Sequence, residues 1–165
     1  MQFINDNPYL VVLLSLFLII MSLPSFIKWT KKRKFEQLMI RSGIREIDRM
    51  SGYSFEEYLM VLFKELGYKP QITKKSGDFG ADVVLKGRNK IVIQAKRYGF
   101  KNRVSLDAIR EIYAAKAFYQ ADEAWVITNS FFTKQALELA KACEVKLLNR
   151  YDLQNFMIEV DPNKR

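Results

Sequence analysis

Three polar side chains, Asp82, Gln94 and Lys96, with Glu56 as a candidate fourth, form the most informative pattern for chemistry in this sequence. Gln94 and Lys96 lie two apart in IVIQAK, so in a strand both project from one face while Ala95 projects from the other. A hairpin returns them beside Asp82, which opens the preceding apolar run DVVL. Together they offer a carboxylate and an amide carbonyl to a hard cation, with an ammonium alongside to orient or activate a water and to offset developing phosphate charge. Each also has a plainer reading: Asp82 as turn or strand-edge chemistry, Lys96 as a solvated strand end, and Glu56 as an acidic group that suits a helix N-terminus. Gln94 is harder to place so, because an amide in an apolar run must find hydrogen bonds or a metal where its face is buried.

The remaining composition narrows the chemistry by exclusion. The chain has no histidine, which removes a His general base, a Ser-His-Asp triad, a Cys-His pair and an imidazole zinc site. Its single cysteine, Cys143, rules out an intramolecular disulfide or a CxxC clamp and is expected to be a small buried side chain. What remains are carboxylates, lysines, hydroxyls, amides and an oxygen-liganded metal. A net charge of +9 over 165 residues points to an anionic partner.

The elements that would position the four residues follow from period and caps. A helix is expected from Ser54, with SFEE as a capping box, Phe55, Leu59, Leu62, Phe63 and Leu66 as its buried face, and Gly67 as its stop. YKPQITK reads as an edge strand because Pro70 suits no central one, and KKSGDFGAD reads as a glycine-containing turn. DVVL and KIVIQAK form a hairpin across KGRN, with Gly87 or Asn89 taking any positive φ. Ser105 can cap a helix to about Tyr119 that buries Leu106, Ile109, Ile112 and Tyr113 and exposes Arg110. AWVIT is a buried strand, with Trp125 in the core and Thr128 bonding at its end. Thr133 caps KQALELAKA, VKLLN is a further strand, and Asp152 begins a last short helix. The order α-β-β-β-α-β-α-β gives an α/β fold with a mixed sheet flanked by helices, since the later strand-helix-strand unit needs a parallel crossover.

Ahead of this domain, residues 9–27 read YLVVLLSLFLIIMSLPSFI without a formal charge, and as a helix they span about 28 Å, close to a ~30 Å hydrocarbon core. Pro24 is tolerated in such a helix, and Ser22 is expected to bond a carbonyl that it frees. The preceding MQFINDNP lacks the basic residues of a cleaved signal peptide. Lys28, Lys31, Lys32, Arg33 and Lys34 follow at once, so the positive-inside rule predicts a single-pass protein of the inner (cytoplasmic) membrane with its N-terminus outside and its C-terminal domain cytoplasmic. The expected divisions are an anchor and basic segment at 1–34, a helical connector at 35–50, a catalytic domain at 51–158 and a polar tail at 159–165.

Taken in order and spacing, GYSFEEYLMVLFKELGY, SGDFGADVVL, KIVIQAKRY, VSLDAIREIYAAKAFYQADEAWVITNSFFTKQALELA and VKLLNRYDL resemble the Mrr-like restriction endonuclease family, a branch of the PD-(D/E)xK nuclease superfamily. The resemblance covers roughly residues 50–158. It implies a restriction-endonuclease-like fold and a Mg²⁺-dependent DNA endonuclease, with Mn²⁺ as a substitute. It also implies that Glu56, Asp82, Gln94 and Lys96 match the family's helix Glu, strand Asp and QxK pair, with Asp82, Gln94 and Glu56 holding the metal. Asp78 lies in the matching turn and reads as a turn former. Gln94 replaces the superfamily's usual acid, so metal binding should be weaker than with two strand carboxylates. Whether Lys96 acts as a neutral base or a charged stabiliser stays open.

Lys74, Lys75, Arg97, Lys101, Arg103 and Arg110 border the site and are candidates for phosphate contacts, with Tyr98 and Phe100 either stacking on a base or packing at the rim. A homodimer would bring one site to each strand of a duplex. The alternative to an enzyme is a non-catalytic membrane adaptor that uses the nuclease fold to bind DNA or a protein.

Overall fold

The computed structural model describes residues 8–73, 79–99 and 101–164. The chain divides into two units, Met1–Leu38 and Met39–Arg165.

The described part of the first unit lies within helix α1, Pro8–Arg41, which contains Pro24 and runs on through the basic residues and the first part of the expected connector. Apolar side chains from Val12 to Ile27 point outward all round it, with no polar stripe to separate a buried face from a wet one. Ser22 does not serve the carbonyl that Pro24 leaves free. Its hydroxyl donates to Ile19 O at 2.9 Å, one residue short of Ile20, because a serine in a helix reaches the carbonyl three residues back. Phe26 and Trp29 stack with ring centroids 5.9 Å apart, and the Arg33 guanidinium lies 5.6 Å from the Trp29 ring.

The second unit begins with the single turn α2, Ile44–Ile47, whose Ile47 is fully buried. Helix α3 is Gly52–Glu65, and it starts earlier than Ser54. Ser51 takes the extended N-cap conformation and accepts from Ser54 N at 3.0 Å, so Ser54 sits inside the first turn and Glu56 moves out of it. Gly67 follows the last turn with φ of +86°, a left-handed stop that glycine adopts without strain.

Strands β1 (Lys69–Ile72), β2 (Val83–Lys86) and β3 (Ile91–Lys96) pair antiparallel. β5 (Glu123–Thr128) and β7 (Val145–Leu148) then add in parallel, giving the order β1-β2-β3-β5-β7. The β2–β3 loop uses no positive φ at Gly87 or Asn89: with four residues between the strands it turns without the left-handed step a two-residue connection needs. Short strands β4 (Arg103–Val104) and β6 (Phe131–Phe132), not anticipated from the sequence, pair beside the main sheet.

Alternation along the strands divides the core. Val83, Leu85, Ile93, Trp125 and Ile127 face α3 and the last helix, α6 (Arg150–Val160). Val84, Val92, Ala124 and Val126 face α4 (Asp107–Phe118) and α5 (Lys134–Ala142). Central strands covered on both sides explain the near-continuous apolar runs in the sequence.

Details of the helices differ from expectation at their ends. Leu106 rather than Ser105 is the N-cap of α4, although the Ser105 hydroxyl still accepts from Asp107 N at 3.4 Å. Tyr113 is exposed, because Ala108, Ile109, Ile112 and Ala115 complete the buried stripe without it. Thr133 caps α5 as expected, whereas α6 is capped by Asn149 in a capping box with Asp152 at its third position. Cys143 is half-buried at the C-cap of α5 rather than enclosed.

Candidate functional site

Asp82 immediately precedes β2, and the Val83↔Ile93 register places it opposite Gln94. Its Oδ2 accepts from Gln94 Nε2 at 2.6 Å and from the Ala95 backbone N–H at 2.7 Å. Charge-assisted bonds of this length fix the carboxylate against the strand. The backbone does likewise, since Asp82 N donates to Ile93 O at 2.8 Å and Asp82 O accepts from Thr73 N at 3.0 Å. Gln94 is buried, and its carbonyl Oε1 has no hydrogen-bond partner. A buried acceptor left without a donor is costly to keep, and a hard cation or a water satisfies it.

Lys96 is the next residue outward on Gln94's face. Its ammonium donates to Glu111 Oε2 on α4 at 2.9 Å. Glu56 is half-buried on α3, the helix that covers the opposite face of the sheet. The chain turns at Gly67 into β1, whose first residue pairs with Lys86 and whose last pairs with Val83. The N-terminal half of α3, with Glu56, therefore lies toward the Asp82 end of the sheet. Around Glu56, the Tyr53 phenol is held above its ordinary value, first by the charge of Glu57 and its hydrogen bond, then by burial and the charge of Glu56. Among the described residues no three His, Cys, Asp or Glu side chains group to hold a metal; the oxygen donors that the hairpin brings together are the Asp82 carboxylate and the neutral Gln94 carbonyl. A carboxylate beside an unpartnered carbonyl oxygen is a donor pair of the kind that suits a hard, oxygen-seeking divalent ion.

The segment after Lys96 is pinned by a buried polar set, of which only Thr128 was marked in the sequence. Thr128 Oγ1 donates to Lys96 O at 2.6 Å and accepts from Ser130 N at 3.1 Å. The Asn129 amide brackets Tyr98: Oδ1 accepts from Tyr98 N and Nδ2 donates to Tyr98 O, both at 2.8 Å. Asn129 Nδ2 also donates to Asp48, which Arg150 grips with two bonds of 2.6 and 2.9 Å. Burial pushes the Asp48 carboxyl up, but the hydrogen bonds from Arg150 and Asn129 and the charges of Arg150 and Arg97 outweigh it and hold the group below its ordinary value.

The phosphate candidates separate into distinct settings. Arg97 is half-buried, and its Nε has no partner. Lys101 is exposed. Arg103 lies 5.8 Å from the Phe131 ring and donates to Phe132 O at 3.3 Å, while Arg110 is exposed and paired with Asp107 at 3.2 Å. Tyr98 packs against the α4-side core. Lys74, Lys75, Asp78 and Phe100 lie outside the described residues.

The restriction endonuclease family model Mrr_cat matches residues 47–157, from the buried Ile47 to the last turn of α6. The chain belongs to this Mrr-type restriction endonuclease family. A curated Mrr-type relative, the type IV methyl-directed restriction enzyme EcoKMrr of Escherichia coli strain K12, is 31% identical over 121 residues. The match takes in 67% of this chain and 39% of the relative, so the chain spans about two fifths of that enzyme's length. The fold is shared with the DNA modification-dependent restriction endonuclease AspBHI, at 17% identity and a TM-score of 0.55 over 78% of this chain and 35% of that one. It is shared also with the protein of unknown function AF1548, at 18% identity and 0.53 over 60% and 58%.

Proposed function

We propose that the protein is a membrane-anchored, divalent-metal-dependent DNA endonuclease. The observation that supports this most is the pairing of Asp82 with Gln94, whose buried carbonyl oxygen lacks a partner, within an Mrr-type domain. DNA as substrate is taken from the Mrr-type relative and from the basic surroundings of the site.

Asp82 and Gln94 Oε1 would hold the metal, Mg²⁺ or Mn²⁺, with Glu56 approaching from the end of α3. A bound divalent cation supplies a Lewis acid for a phosphoryl oxygen. Lys96 orients the attacking water and offsets the charge that develops on the phosphate. Arg97, which follows Lys96 in the chain, and the exposed Lys101 hold the flanking phosphates. The Ala95 N–H keeps the Asp82 carboxylate aimed.

Helix α1 is long and apolar enough to span a bilayer, and its exposed apolar side chains favour lipid around it. The basic cluster at Lys28–Lys34 favours the cytoplasmic side for the domain.

The test is cleavage of linear, supercoiled, branched, methylated and single-stranded DNA by the full chain in detergent, with Mg²⁺ and with chelator, and with Asp82→Ala as the blank. The expected result is Mg²⁺-dependent cutting of at least one substrate, lost in Asp82→Ala. Binding of DNA that is indifferent to chelator, without cutting, would replace this reading with that of a non-catalytic adaptor.

A further inference from the structure

Glu111, the partner of Lys96, stands outside the family's four matched positions, and the pair is partly open, with 25% of the lysine and 47% of the glutamate side chain exposed. An exposed pair on two mobile side chains contributes little. Here, however, the backbone carrying Glu111 is held against the turn that carries Asp82. A Cβ on Gly80 would lie 2.7 Å from Glu111 Cβ and 3.0 Å from its carbonyl carbon, and Gly80 has φ of +89°. Only glycine gives this approach and this backbone angle together.

The contacts close a ring. Glu111 touches Gly80, which leads by one residue to Asp82, and Asp82 bonds to Gln94 and Ala95. Ala95 precedes Lys96, whose ammonium returns to Glu111. A lysine side chain has many rotamers and three N–H donors. A carboxylate fixed on α4 selects one direction for the chain and occupies one donor, leaving two for water and a phosphate oxygen.

We propose, resting on the nuclease reading above, that Glu111 is the positioning residue for Lys96, holding the ammonium in its working direction before DNA arrives. Its effect passes through Lys96, so it should appear in the rate of the bound complex and not in DNA binding or in folding.

The experiment is single-turnover cleavage of duplex DNA by the full chain in detergent with Mg²⁺, comparing the unsubstituted protein, Glu111→Ala, Glu111→Gln, Lys96→Ala and Lys96→Ala/Glu111→Ala, with a melting curve for each. Glu111→Ala should lower the maximal rate by about 10- to 100-fold, leaving the half-saturating DNA concentration and the melting temperature in place. Glu111→Gln should lose less, because its amide oxygen still accepts. In the Lys96→Ala background, Glu111→Ala should cost nothing more. An unchanged maximal rate in Glu111→Ala would overturn the inference while leaving the nuclease reading intact. An equal loss with and without Lys96, or a loss confined to DNA binding or melting, would do the same. No cutting by the unsubstituted protein would overturn the nuclease reading and this inference with it.

Discussion

At the scale of single residues, the site depends on matched alternation in two adjacent strands, which puts Asp82 and Gln94 on one face. The two-residue spacing of Gln94 and Lys96 and the hairpin return to Asp82 were legible in the sequence, because strand period and register follow from local pattern. Glu111 was not legible. It meets Lys96 across 15 residues, and its neighbours Ile109 and Ile112 mark the buried stripe of α4 while Glu111 stands at its edge. Asp48, Asn129 and Arg150 were equally hidden, since their contacts span up to 102 residues. Asp48 also makes a pH prediction. Its folded carboxyl lies below the ordinary value of 3.8, so its contribution is complete above that pH and is lost as pH falls through the folded value. Asp48→Asn should lower stability at neutral pH by about 2 kcal/mol and flatten the acid limb of the stability curve below about pH 4. Denaturant unfolding between pH 2.5 and 7 checks this, and parallel acid limbs for the two proteins would contradict it.

Among the elements, the strands were the easiest to read and the helix starts the hardest. Ser51 and Ser54 both satisfy a cap rule, and the choice fell to Ser51 because Gly52 and Tyr53 continue into the first turn behind an extended residue. The displaced start takes Glu56 out of the first turn, so pairing with the helix dipole no longer accounts for it. Strands β4 and β6 are two residues each, too short for any periodic pattern to mark. Helix α3 also holds Tyr58, whose fully buried hydroxyl has no partner and whose phenol burial pushes well up. Tyr58→Phe removes that polar atom without changing the shape of the core. Thermal unfolding should show a gain of about 1 kcal/mol, and a loss of similar size would reveal a bond to the hydroxyl.

Over the whole molecule, an apolar helical unit precedes an Mrr-type unit, and the sequence pattern marked both. The proposed anchor makes its own prediction. The full chain reconstituted into vesicles should stay with the lipid at about 1 M salt, where charge attraction is screened within ~3 Å, and release at high salt would point to surface binding by Lys28–Lys34 alone. Everything proposed for the second unit depends on a cation held between the Asp82 carboxylate and the Gln94 carbonyl. Calorimetric titration of Mn²⁺ into the full chain in detergent, beside Asp82→Ala of matched melting temperature, addresses that directly. The account predicts a saturable site in the unsubstituted protein that disappears in Asp82→Ala; equal heats and equal affinity in the two proteins would contradict it.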